Sequence, residues 1–226
     1  MARVEQIFIG CPFRRNIRRH YDRLKAEMES QSPLRVVLAD TTSISSTDDL
    51  LEHITELIRE SAGCIFDVTG GNPNVSLEVG IAHALPVGFL LTFGTRKAPA
   101  PLSRKAALAR GAADRLRPII ADLQGRNRIE YKTYRSLRDQ VLKRYLAHLP
   151  YMKRWHEFEK SHRSYVPFAL RLFDELRASG RSVPRRVEAI VSGSGISVTA
   201  LTRALSHHRL ITHRRGRDGG LFYPSK

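Results

Sequence analysis

Cysteine is nearly absent from this 226-residue chain, which holds only Cys11 and Cys64. Neither belongs to a disulfide framework or a metal knuckle, and no His or Cys spacing suits zinc. No metal is therefore expected, and a reducing, cytoplasmic setting is. No apolar run approaches the ~18 residues of a membrane span, and no signal peptide precedes the first strand, so a membrane location is not expected. Internal repeats, low-complexity tracts and a Ser-His-Asp arrangement are all missing. Negative charge is scarce: 22 Asp+Glu face 38 Lys+Arg, for a formal net charge of +16. The imbalance is uneven, since residues 1–150 hold 23 basic against 16 acidic groups, and residues 151–226 hold 15 against 6. A compact basic C-terminal segment favours a polyanionic partner.

What is present is a run of short apolar segments alternating with amphipathic ones. Strands are expected over residues 4–10, 34–39, 63–68, 87–93 and 128–131. Helices are expected over 14–29, 48–61 (capped by Thr47), 75–85 and 134–149, with helical pieces broken at Pro118 over 102–123. Ile17, Tyr21, Leu24 and Met28 mark the buried face of the first helix, and Leu50, Leu51, Ile54, Leu57 and Ile58 that of the second. Continuous apolar strands alternating with helices predict an α/β fold, a flavodoxin-like doubly wound parallel five-stranded sheet of order 2-1-3-4-5. Ligands of such sheets bind beyond the carboxyl ends of the strands, at the switch point between strands one and three. The loops there carry Gly10, Arg14 and Arg15, then Asp40 to Thr42, then Asp67 to Asn74.

The pattern divides the chain into an α/β domain over 1–149, a basic aromatic connector with Trp155 over 150–165, and a small domain over 166–226. The last reads as helices over 166–178, 184–192 and 198–208 (capped by Ser197), then strands over 210–215 and 221–223 joined by a glycine-rich turn. Three helices followed by a hairpin is the order of a winged helix. Thr199, Thr202, Arg203, Ser206 and His207 form a polar face on its third helix, opposite Leu201, Leu205 and Leu210. Arg214, Arg215 and Arg217 load the hairpin. A groove-reading helix beside a basic wing points to nucleic acid, with phosphate contacts dominant and binding steeply salt-dependent. A protein-contact role for such a module stays open.

The most informative segment is Asp67-Val-Thr-Gly-Gly-Asn-Pro-Asn-Val-Ser-Leu-Glu-Val-Gly-Ile-Ala-His-Ala-Leu85. It reads as a strand end, a tight polar loop and a helix carrying Glu78 about one turn in. Asn72 and Asn74 can bond ribose hydroxyls or an amide, and the helix start offers N–H groups to an anion. Gly80, Ala82 and Ala84 make one side slender for packing on the sheet. His83, five residues beyond Glu78, should point away from it. Arg14 and Arg15 can hold a phosphate by bidentate bonds, although the loop lacks a P-loop or dinucleotide fingerprint. A plain reading, with Glu78 solvated and the loop a simple turn, stays open.

The segment resembles the nucleoside 2-deoxyribosyltransferase-like and TIR-like families, through an Asp at a strand end, a short loop and then Glu-x-Gly-x-Ala. The resemblance implies that Glu78 attacks or stabilises an anomeric carbon and that Asp67 helps hold base or ribose. The Pro-Asn-Val loop and Arg-rich first loop depart from the classical transferases, so hydrolysis of a phosphorylated or dinucleotide substrate is expected over deoxynucleoside exchange. Fused to a winged helix, such a domain resembles the effectors of some retron anti-phage systems, toxic nucleotide or NAD glycosidases restrained by a nucleic-acid-containing partner. The expectation is an N-glycosidase acting on NAD or a related nucleotide as substrate, with no cofactor, a nucleic-acid partner and a defence-system partner protein; self-association is left open. The alternatives are a nucleotide sensor coupled to a DNA-reading module without turnover, and a scaffold with a vestigial pocket.

Overall fold

The structure, a computed structural model, describes residues 3–39, 47–95, 128–213 and 219–224. Asp40, the helical pieces over 102–123, and the wing arginines Arg214, Arg215 and Arg217 lie outside the described residues.

Strands β1 (Arg3–Gly10), β2 (Arg35–Leu38), β3 (Ser61–Asp67), β4 (Phe89–Gly94) and β5 (Arg128–Tyr131) form one parallel sheet in the order β2-β1-β3-β4-β5. This is the predicted flavodoxin-like order. Helices α1 (Arg15–Gln31), α2 (Thr47–Glu60), α3 (Pro73–Ala84) and α4 (Tyr134–Gln140) flank it. Side chains alternate across each strand, and both faces are covered. Ile7, Ile9 and Ile65 meet Tyr21, Leu24 and Met28 of α1 in one core, whereas Phe8, Cys64 and Phe66 meet Ile58 of α2 and Val75 and Val79 of α3 in the other. On α2, Leu51 departs from its expected place and is 43% exposed. The edge strand β2 is closed by α1: Lys25 Nζ donates to the Val36 carbonyl, and the Val36 N–H donates to Glu29 Oε1 at 2.9 Å.

The helix expected over 134–149 is interrupted. After α4 the chain widens into a π-turn at Val141–Tyr145 and tightens into a 3-10 turn at Leu146–His148. The segment read as a connector contains helix α5 (Pro150–Ser161), with Tyr151, Met152, Trp155 and Phe158 buried. Trp155 stacks on Phe158 at 5.4 Å and meets Phe173 edge-on at 5.9 Å. Helices α6 (Val166–Ser179), α7 (Pro184–Val191) and α8 (Val198–His207) follow, then the antiparallel pair β6 (Thr212–His213) and β7 (Leu221–Phe222), with Ser182 bridged to Leu221. Gly180 ends α6 in the left-handed region, at φ 73°. Leu201, Leu205 and Leu210 are fully buried, and they share one continuous core with Ile7, Met28 and Trp155. Arg177 of α6 ties the two parts together by donating to the carbonyls of Glu29, Ser32 and Leu34 at the end of α1, over 2.7–3.2 Å.

Candidate active site

The site forms where the carboxyl ends of β1 and β3 meet the amino end of α3. Gly70 and Gly71 turn the chain with φ values of 74° and 64°, which a side chain would strain. Asn72 then caps α3, its side-chain oxygen accepting from the N–H groups of Asn74 at 2.9 Å and Val75 at 3.3 Å. Pro73 takes the first helical position, where a missing N–H costs nothing. This start sets the rotation of α3 so that Val75, Glu78, Val79 and Ala82 face the sheet, while Gly80 and Ala84 face solvent. The slender side expected of α3 therefore reduces to Ala82, because the cap rotates its two companions outward.

Glu78 is consequently turned inward and is 6% exposed. Its Oε2 is buried with no hydrogen-bond partner among the described residues. A Cβ on Gly10 would fall 2.0 Å from that oxygen and 2.7 Å from Phe66 Cδ1, so glycine at the end of β1 is what admits the carboxylate. Burial pushes the Glu78 carboxyl up to about 7, with no cation among the described residues offsetting it. Burial likewise pushes the Cys11 and Cys64 thiols up to about 12, and the nearby Glu78 charge adds to both.

Asp67 is fully buried. Its Oδ1 accepts from the Thr69 N–H at 2.8 Å and its Oδ2 from the Tyr131 hydroxyl at 2.6 Å. Expected to hold base or ribose, it is instead engaged within the protein on both oxygens, and braces the loop. Thr92 Oγ1 lies 3.3 Å from the Phe66 carbonyl, to which it can donate, and shares a 2.6 Å hydrogen bond with the Tyr21 hydroxyl. Thr69 Oγ1 in turn accepts from the Gly94 N–H at 2.7 Å. Burial first, and then the Asp67 charge, raises the pKa of both Tyr21 and Tyr131, keeping them neutral donors. Sequence reasoning missed this layer. The available signal was Tyr131 closing a predicted strand, which by the carboxyl-end rule belongs at the site.

Arg14 and Arg15 are exposed at the start of α1. Arg14 reaches the third loop: its Nη1 lies 3.8 Å from where a Cβ on Gly70 would stand. Asn74 is exposed, whereas Asn72 has spent its oxygen on the cap and keeps only its amide N–H groups for a ligand. The fold thus gathers Gly10, Asp67, Glu78 and the Asn72 loop, with Arg14 at the rim. His83 is exposed and meets Phe89 edge-on at 6.5 Å.

On α8, Thr199, Thr202, Arg203, Ser206 and His207 line a groove of about 530 Å³ together with His213 of β6. Thr202 departs from expectation. It is 8% exposed and its hydroxyl donates to the Val198 carbonyl at 2.9 Å, so it adds surface to the groove and no free hydroxyl.

No family model matches the chain, and no curated protein matches it. Among solved structures it is similar to a 2-desoxiribosyltransferase from Leishmania mexicana, at 17% identity and a TM-score of 0.37, over 41% of this chain and 67% of that one. So slight a likeness carries no chemistry across.

Proposed function

We propose that this chain is an N-glycosidase that hydrolyses the N-ribosyl bond of NAD or a related nucleotide, and that it serves as a toxic effector of retron-type anti-phage defence. Its C-terminal helices and ribbon are read as a winged helix that docks on nucleic acid. One observation supports the catalytic part above all: a buried carboxylate oxygen without a partner among the described residues, admitted by a glycine at the switch point of a parallel sheet. A carboxylate desolvated and left unbonded costs stability and is retained where a ligand uses it.

In the proposed reaction ionised Glu78 attacks C1′ of the ribose, or stabilises the cation that develops there. The C1′–N bond breaks and its electron pair leaves with the base. The nicotinamide nitrogen of NAD is cationic, so it departs neutral and needs no proton. Water then attacks C1′, restores the carboxylate and releases a proton. Arg14 and Arg15 hold phosphate, and the Asn72 amide and Asn74 meet ribose hydroxyls. Asp67 acts one step back, keeping the loop in place through Thr69 and Tyr131.

The nucleic-acid part is supported by the order of α6, α7, α8 and the ribbon, by the Ser182–Leu221 bridge, and by the basic groove on α8. The test is release of free base from NAD and a nucleotide panel, read by chromatography, with Glu78→Gln as control. Release that vanishes in the variant is expected. Hydrolysis unchanged by that substitution, or no release with or without added nucleic acid, overturns the assignment.

A second reading, nucleotide sensing without turnover, is favoured by one feature. Helix α1 begins at the candidate site and ends under Arg177 of the C-terminal part. Tight nucleotide binding without product, accompanied by altered nucleic-acid affinity, would identify it.

A further inference from the structure

Three histidines not used by the glycosidase chemistry are in contact at the junction of α5, α6 and α8. His162 stacks on Phe158 at 5.3 Å and packs against Tyr165 at 5.6 Å. His208, just past the end of α8, meets His162 edge-on at 5.5 Å, Phe158 at 5.7 Å and His207 at 5.3 Å. The Ser161 hydroxyl lies between two of the rings, 2.8 Å from His162 Nδ1 and 3.3 Å from His208 Nε2. The same hydroxyl is within donating distance of the Glu157 carbonyl, at 2.8 Å. With one hydrogen and two lone pairs it can serve either ring as donor or acceptor, and protonation of either ring adds an N–H donor that the neutral imidazole lacks.

The row joins two grooves. His207 lines the one on α8, of about 530 Å³, and His162 lines another, of about 660 Å³, with Lys160, Ser161, Arg163, Ser164 and Tyr165. Among the described residues, neither groove is lined by a carboxylate. The groove along β2, by contrast, carries Asp22, Glu29 and Asp174. Hydroxyls and basic groups with no acid between them suit the phosphodiester backbone of a nucleic acid.

We propose that His162 and His208, with His207 packed beside them, form a proton-gated phosphate contact that carries the nucleic-acid face of α8 across to the turn after α5. The proposal rests on the nucleic-acid reading given above for the C-terminal part. Free of ligand, His208 is biased toward its neutral form: burial lowers its pKa most, then His162 and His207 lower it further, while Glu157 on α5 raises it. A phosphate reverses that balance and draws protons in. Binding is therefore coupled to proton uptake, and the contact strengthens as pH falls through the histidine range.

The test is fluorescence anisotropy of a short labelled DNA duplex with the full chain, titrated against salt at about pH 6 and about pH 8. Wild type, His162→Gln/His208→Gln and Arg203→Ala are compared, and circular dichroism verifies that each is folded. Wild type is expected to bind more tightly at the lower pH, by up to about tenfold per ring whose pKa rises one unit. Its log–log salt slope should steepen by about 1–2. The double histidine variant should lose both pH effects, whereas Arg203→Ala should bind more weakly at both pH values and keep them. If wild type binds equally at both pH values with one slope, or the double variant retains the pH effect, the histidine contact is overturned and the nucleic-acid reading survives. If wild type binds no duplex at either pH, both are overturned.

Discussion

Replacing Glu78 by Gln should make this protein more stable, and by an amount that depends on pH. The Glu78 carboxyl titrates at about 7 in the folded chain, against the usual 4.5. Below the lower value both states are protonated and burial of the group carries no charge penalty. Between the two, the unfolded chain gives up a proton that the folded chain keeps, so stability falls as pH rises; above the upper value the loss is complete. The integrated penalty is about 1 kcal/mol at pH 5 and about 3 kcal/mol at pH 8. Gln keeps the shape and never ionises. The advantage of the variant should therefore grow by about 2–3 kcal/mol between those pH values. Glu5, also pushed up to about 7 by burial, contributes its own slope to both proteins and cancels in the difference. Urea unfolding of the pair at both pH values measures it. A stability difference that stays constant with pH would refute the claim that Glu78 is desolvated and lacks a partner among the described residues, and with it the main support for its proposed catalytic role.

The proposed glycosidase rate should fall as pH drops through about 7, because the proposed reaction needs the ionised carboxylate; a pH–rate profile of base release checks this. Gly10→Ala places a methyl group 2.0 Å from Glu78 Oε2 and should cost about 1–3 kcal/mol by urea titration as well as most of the activity. Tyr131→Phe leaves Asp67 Oδ2 without its donor and should destabilise by about 1–3 kcal/mol, with the loss read as a lower urea midpoint. Arg177→Ala strips donors from three carbonyls at the end of α1 and should cost about 2–4 kcal/mol. Arg177→Lys should recover only part of this, since an ammonium lacks the fork that spans those acceptors.

Much of the fold was legible because it rests on local pattern. Ile17, Tyr21, Leu24 and Met28 repeat at helical spacing and are all buried on α1. The apolar strands read as continuous runs, and alternation with helices fixed the crossovers and hence the strand order. Legibility failed where a residue serves a partner far along the chain. Tyr131 is 64 positions from Asp67, and Arg177 is 148 positions from Glu29, and no spacing rule announces either contact. It failed also where one residue type has two uses. Asn72 was read as a ligand group, yet its oxygen caps α3, which is why the helix starts at Pro73, two residues earlier than its apolar pattern indicated. Spacing puts Glu78 about one turn into α3, but its enclosure by Gly10 and Phe66 depends on packing that composition does not show.

The core that Trp155, Phe158 and Phe173 share with α1 and the sheet bears on how this chain can be cut and recombined. A fragment ending before α5 would present the faces of Met28 and Leu34 to water and would be expected to aggregate rather than fold cleanly. The basic C-terminal part, detached, would expose Trp155 and lose the acceptors of Arg177. Neither piece is a cassette that evolution or an engineer could transplant intact. A change in the proposed nucleic-acid preference is therefore expected to come by substitution on the surface of α8, and not by exchange of the whole module.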